Sequence, residues 1–179
     1  MAGVKNSRVA LGVERVEDRL VLTASAVDAS FASGTLTLMG DNNNDSFSVK
    51  EVLVGHGKSA VHELLITGNH HTTLTSSDKS LTVDAHGNIL VPSADAVSAI
   101  SIMLGTGNNN VQISKLTTLA PLSLTVTDSG STGNNSVMIN GVNGETSVGV
   151  TLGSGKDSLI MGGSSIGALT ATLSSSSKT

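Results

Sequence analysis

The residues best equipped for chemistry are five histidines, His56, His62, His70, His71 and His86, clustered in the first half of the chain. With Glu63 beside His62 they offer the nitrogen and oxygen donors of a zinc centre. No H-E-x-x-H pair sets two imidazoles on one helical face, so solvated loop and strand histidines are the favoured reading. Gly163-Ser164-Ser165-Ile166-Gly167 has the G-x-S-x-G form of a nucleophile elbow, which needs a helix after it and an Asp and a His later in the chain. No Asp or His follows Ser165, so the match is read as chance. Glycan cleavage on a β-helix would need Asp, Lys and Arg clustered on one strand face, and the sequence offers no such cluster. The expectation is a protein that is not an enzyme.

A different chemistry is suggested by Gly153-Ser154-Gly155-Lys156-Asp157-Ser158-Leu159. It matches the G-x-G-x-D-x-L part of the calcium-binding RTX nonapeptide, in which Asp side chains and turn carbonyls of adjacent coils share the ion. The corresponding turns carry Asn109 and Asn135 instead of aspartates, and they recur at a longer period than a nonapeptide. Asp157, Asn135 and Asn109 therefore form a candidate calcium column that lacks the carboxylates for a shell of about 6–8 oxygens. No cofactor is expected, with calcium as the alternative. Asn44 and Asn134 each open an Asn-x-Ser triplet, a formal glycosylation acceptor that here more often marks an Asn-rich turn.

The elements that must position these residues are short strands. From Gly34 onward, period-two alternation of Val, Ile, Leu and Thr is broken every few residues by Gly, Asn, Asp or Ser. Strands are expected at 35–39, 46–53, 62–68, 72–76, 80–84, 88–91, 99–104, 110–114, 122–127, 136–140, 147–152, 158–161 and 168–173. The Gly-Asn pair of His86-Gly87-Asn88 is suited to closing a hairpin between its two flanking apolar segments. Three segments share one pattern: Gly107-Asn108-Asn109-Asn110-Val111, Gly133-Asn134-Asn135-Ser136-Val137 and Gly155-Lys156-Asp157-Ser158-Leu159. Asn43-Asn44-Asp45-Ser46-Phe47 is a degenerate earlier copy. A repeat of this length marks units that cannot bury their own apolar face and must stack. Stacking would put Asn109, Asn135 and Asp157 in one column and Val111, Val137 and Leu159 in the next.

Composition narrows the functional classes. The 179 residues suit one domain, and the core must be aliphatic because Trp and Tyr are absent and only Phe31 and Phe47 are aromatic. Charged residues make up 13% of the chain, against about 25% in ordinary globular proteins. With a formal net charge of -4 there is neither a basic stripe nor an aromatic platform, so nucleic acid is not an expected partner. The absence of cysteine excludes a disulfide framework and a thiolate metal site. No apolar run approaches the roughly 20 residues needed to span a bilayer as a helix.

The first 26 residues differ from the rest. Val9, Val13, Val16 and Leu20 recur at helical spacing among charged residues, which predicts a short amphipathic helix. Glu14, Arg15, Glu17, Asp18 and Arg19 interrupt what would be the apolar region of a cleaved secretory signal. The run Leu11-Gly12-Val13-Glu14-Arg15-Val16-Glu17-Asp18-Arg19-Leu20-Val21-Leu22-Thr23-Ala24, followed by Gly/Asn-turn repeats, resembles exported planctomycete proteins with an LEPR-xLL type N-terminal motif. Glu14, Glu17, Arg19, Leu20, Leu22 and Ala24 match that motif, while Gly12, Val13 and Thr23 depart from it. The resemblance implies export and a cell-surface or extracellular role, and it implies no activity.

These readings converge on an all-β fold, a parallel β-helix or β-solenoid with a short N-terminal helix, the alternative being an antiparallel β-sandwich. Residues 1–26 form the N-terminal segment and 27–179 the β domain. The expected function is that of a structural or adhesin-like protein that self-associates, with fibres as one form of assembly and other surface proteins or polysaccharide as further partners. A calcium-binding RTX-like exoprotein module is the second reading, and an extracellular glycan-active enzyme the last.

Overall fold

The computed structural model describes residues 24–117, 122–128, 133–143 and 146–174. The described residues are all-β, with fourteen strands in two seven-stranded mixed sheets. In chain order the strands are β1 Ala26–Ala32, β2 Thr35–Gly40, β3 Ser46–Val54, β4 Val61–Gly68, β5 Thr73–Thr75, β6 Thr82–Val83 and β7 Ile89–Val91. They continue with β8 Ala99–Leu104, β9 Asn110–Ser114, β10 Ser123–Asp128, β11 Ser136–Asn140, β12 Ser147–Ser154, β13 Ser158–Gly162 and β14 Ala168–Ser174. The described residues hold no α-helix, only short 3-10 turns at Gly57–Ser59 and Ala94–Ala96. The N-terminal helix expected from the sequence falls largely on residues 1–23, outside the described residues.

Strand alternation assigns each strand to a sheet face, and the turns assign it to a sheet. One sheet runs β14-β12-β10-β8-β2-β1-β5 and the other β13-β11-β9-β3-β4-β7-β6. From β8 onward, consecutive strands alternate between the two sheets. All pairings along β2-β8-β10-β12-β14 and along β3-β9-β11-β13 are parallel. Antiparallel pairs are confined to β1 with β2, β3 with β4, β4 with β7 and β6 with β7.

Register turns sequence alternation into continuous core stripes. Phe47, Val111, Val137 and Leu159 are laterally paired, and Val49, Ile113, Ile139 and Met161 form the next row. In the other sheet, Leu36, Ile100, Leu124, Val148 and Leu169 align, as do Leu38, Ile102, Val126, Val150 and Ala171. The inner members of these rows are fully buried and belong to one hydrophobic core. Because each side chain meets a similar one about 4.8 Å away, aliphatic residues suffice where bulky aromatics are scarce.

The segment 51–98 accounts for the mixed pairing at one end. It continues β3 into a hairpin with β4, then crosses to the other sheet as β5 and returns as β6 and β7. The expected Gly-Asn hairpin is present: β6 pairs with β7 antiparallel. Asp84 closes it, its carboxylate accepting from the amides of His86 at 2.8 Å and Asn88 at 2.9 Å. At the start of the domain, Ser33 and Gly34 both have positive φ, the two-residue turn that suits a right-twisted hairpin. The strand that leads into this turn, β1, is not among those expected from the sequence.

Candidate functional site

The feature that gathers the most polar side chains is the corner where the chain passes from one sheet to the other. Asp45, Asn109, Asn135 and Asp157 each stand one residue before a strand of the β3-β9-β11-β13 sheet, so the parallel register stacks them in a column. The structure thus brings Asn109, Asn135 and Asp157 together as the sequence spacing predicts, and adds Asp45 from the degenerate copy.

The column is a ladder of hydrogen bonds. The Asp45 amide donates to Asn109 Oδ1 at 2.9 Å. Asn109 donates to Asn135 Oδ1 from its backbone N at 3.2 Å and from Nδ2 at 3.0 Å. Asn135 repeats the pattern toward Asp157 Oδ1, at 2.8 Å from its backbone N and 3.2 Å from Nδ2. Asn135 Nδ2 also donates to Asp128 Oδ2 at 2.8 Å. Asn109 and Asn135 are buried, so this saturation is what makes their burial tolerable. An asparagine fits because its side chain both accepts from one neighbour and donates to the next.

A second, exposed ladder runs one residue earlier. The amides of Asn108, Asn134 and Lys156 donate to Oδ1 of Asn44, Asn108 and Asn134 respectively, at 2.7, 2.8 and 2.8 Å. Asn44 and Asn134, the two formal glycosylation acceptors, therefore sit in this outer ladder. Two residues before the inner ladder stand Asn43, Gly107, Gly133 and Gly155. A Cβ on Gly107 would crowd the Asn43 carbonyl oxygen, one on Gly133 that of Gly107, and one on Gly155 that of Gly133. The recurrent glycine is thus a requirement for close approach of successive corners, and it begins only at the second corner.

Both ends of the inner ladder are carboxylates. Asp45 is fully buried, accepts from the Ser25 hydroxyl at 2.5 Å, and has its Oδ2 without a partner. Ser25 Oγ also lies 2.9 Å from Thr72 Oγ1, which accepts from the Ser46 amide at 2.8 Å. Burial pushes the Asp45 carboxyl up to about 6; the Ser25 hydrogen bond works against the rise and the charge of Asp41 adds to it. At the other end, Asp157 Oδ2 is likewise buried and unpartnered.

As a calcium column this donor set is poor. The oxygens of Asn109, Asn135 and Asp157 that would face a cation already accept hydrogen bonds, and amide donors stand beside them, far from a shell of about 6–8 oxygens. Among the described residues no group of three or more His, Cys, Asp or Glu is arranged to hold a metal ion.

The other candidates are dispersed. His62 and Glu63 line one cleft, with Pro92 and Ser93, while His70 and His71 line another, with Ser25 and Asn42. His62 Nδ1 instead pairs with the buried Glu51, at 2.5 Å from Oε1, and Glu51 Oε2 accepts from the Thr117 amide at 2.8 Å. His86 sits in the β6–β7 turn and His56 before the Gly57–Ser59 turn. Gly163-Ser164-Ser165-Ile166-Gly167 leads into strand β14 and not into a helix, so it lacks the setting of a nucleophile elbow. The Ser165 amide instead donates to Asn143 Oδ1 at 3.2 Å, a further rung between neighbouring corners.

Sequence reasoning missed the Glu51–His62 pair and the Ser25–Asp45–Thr72 network. Glu51 follows Phe47 and Val49 at inward positions of β3, and a charge on a core face is the signal that a partner must exist. Comparison with protein-family models, curated proteins and solved structures finds no match. Among the described residues no helix is long and apolar enough to cross a membrane.

Proposed function

We propose that the chain is a β-solenoid serving as a structural or adhesin-like module at the cell surface or outside the cell, and that it self-associates. The observation that carries this reading is the coincidence of two parallel, in-register strand ladders with an amide ladder at the corner between them. A coil of strand, Gly/Asn corner and strand, repeated and stacked, accounts for all three at once. Repeats of this kind present long, regular, low-charge surfaces, which suit contact with other surface proteins or polysaccharide. The extracellular assignment rests on the 13% charge content and on the likeness of the run ending at Ala24 to the LEPR-xLL motif. A scaffold role in place of catalysis is supported by the separation of His62 and Glu63 from His70 and His71.

Immunogold labelling of intact cells, with fractionation of medium, envelope and cytosol, tests the assignment. The expected outcome is label at the surface or protein in the medium; protein confined to the cytosol would contradict it.

A further inference from the structure

The two ends of the strand stack are finished differently. At the β5/β6 end the outer strands are only three and two residues long. There the exposed backbone of β1 is satisfied by side chains: Ser76 donates to the Ala29 carbonyl at 2.6 Å and Asp78 accepts from the Phe31 amide at 2.7 Å. Short edges closed by polar side chains are the usual protection against pairing with another chain.

Among the described residues the β13/β14 end has none of these devices. β14 spans seven residues, all exposed, and β13 five, and neither contains a charge or a proline. Leu169, Ala171 and Leu173 continue the inward rows of Val148, Val150 and Leu152, yet Leu169 is 50% and Leu173 44% exposed where those valines and Leu152 are buried. Among the described residues an apolar core row thus ends at an unpaired strand edge.

The edge strand is self-complementary. Leu169-Thr170-Ala171-Thr172-Leu173 reads the same in both directions. Antiparallel pairing with a second copy about Ala171 sets Leu169 against Leu173 and Thr170 against Thr172. Leucines then meet on the core face and threonines on the solvent face. The same two-fold centred on Ile160 sets Leu159 of β13 against Met161 of its copy. We propose that two copies of this chain join end to end across this edge, β14 to β14 and β13 to β13, as a closed two-fold dimer. The absence of charge on both edge strands removes like-charge repulsion from such a self-pairing. A stable interface takes about 20–30 residues a side, which the layer 156–174 approaches. Because the β5/β6 edges are closed, the assembly stops at two copies.

This inference rests on the stacked-coil, self-associating reading above, and cysteine crosslinking separates the two. The chain has no cysteine, so a substituted one reports cleanly. On the two-fold, residue 171 of one copy faces residue 171 of the other at an antiparallel Cα spacing of about 4.5–5.5 Å, within disulfide reach. Ala171→Cys is expected to give a disulfide-linked dimer as the main species under mild oxidation, and Thr73→Cys on β5 to give none. A T170K/T172K double variant, altered only on the outer face, is expected to halve the sedimentation mass of the native protein while keeping its far-ultraviolet dichroism. Association of the native protein without an A171C link, or growth into long filaments, would overturn the two-fold dimer and leave self-association standing. A native protein that stays monomeric at high concentration would overturn both, without touching the stacking of coils.

Discussion

Asp45 occupies the one place in the inner column where a fully buried carboxylate, with one oxygen unpartnered, stands in the position held by Asn109 and Asn135 in the next two corners. Its carboxyl, lifted by burial to about 6, holds a proton more tightly in the folded protein than in the unfolded chain. The stability it contributes is therefore complete below its ordinary value of 3.8 and is lost as pH rises through about 6. Asp78 and Asp84 work in the opposite sense. The Phe31 amide beside Asp78 and the Asn88 side chain beside Asp84 hold these exposed carboxyls below their usual value. Their contribution is present above the ordinary carboxylate range and lost only at lower pH, so neither opposes the loss from Asp45 in the interval from 3.8 to about 6. Asp45→Asn keeps the acceptor for Ser25 and adds a donor toward Asn109. It is expected to be more stable than the native chain near neutral pH, by up to about 3 kcal/mol, and to lose the slope across that interval. Chemical denaturation at a series of pH values measures both; an unchanged slope would contradict the role given to Asp45.

Glycines make a sharper contrast at the same scale. Gly133→Ala would force a methyl into the Gly107 carbonyl oxygen of the preceding corner, and is expected to cost more than about 3 kcal/mol or to prevent folding. Gly87 has φ +76° with open space around its Cβ direction, so Gly87→Ala should cost only about 1–2 kcal/mol of backbone strain. Urea midpoints of the two variants check this, and equal costs would mean that the corners do not approach as described.

At the scale of elements, the strands were largely legible because the Gly/Asn corners punctuate clean alternation. β8, β9 and β11 have the very bounds expected from the pattern, Ala99–Leu104, Asn110–Ser114 and Ser136–Asn140. β1 was not legible, because its inward positions Val27, Ala29 and Phe31 alternate with Asp28 and Ser30 between small alanines, a weak apolar signal. Lateral partners over long separations were also hidden. Asp128 completes the hydrogen bonding of Asn135 from the end of β10, and no spacing rule announces that. The two ladders differ in what they hold. Asn135→Ala would leave the buried Asn109 backbone amide without its acceptor and take one side-chain donor each from Asp128 and Asp157, at a cost of about 2–4 kcal/mol. Asn134→Ala removes an exposed rung and should cost under about 1 kcal/mol. Thermal unfolding of both variants is the check, and a larger loss from the outer substitution would reverse the assignment of inner and outer ladders.

At the scale of the molecule, the repeat register explains why so few large side chains are needed and why one end differs from the other. The inserted segment 51–98 separates the first corner from the second by 64 residues, against 26 and 22 for the later pairs. That insertion made the first copy look degenerate in sequence, although it stacks on the same column. It also supplies antiparallel strands and the short edges at one end, and among the described residues β13 and β14 are the unpaired edges at the other.

The claim on which the rest depends is that side chains from successive corners bond to the backbone of the next. Scalar coupling across hydrogen bonds, measured by nuclear magnetic resonance, tests it directly. The backbone amide nitrogen of Asn135 should couple to the side-chain carboxyl carbon of Asp157, and that of Asn109 to the side-chain carbonyl carbon of Asn135, with slow exchange of both asparagine side-chain amides. Absent couplings together with side-chain amides that exchange at solvent rates would contradict the stacked corners.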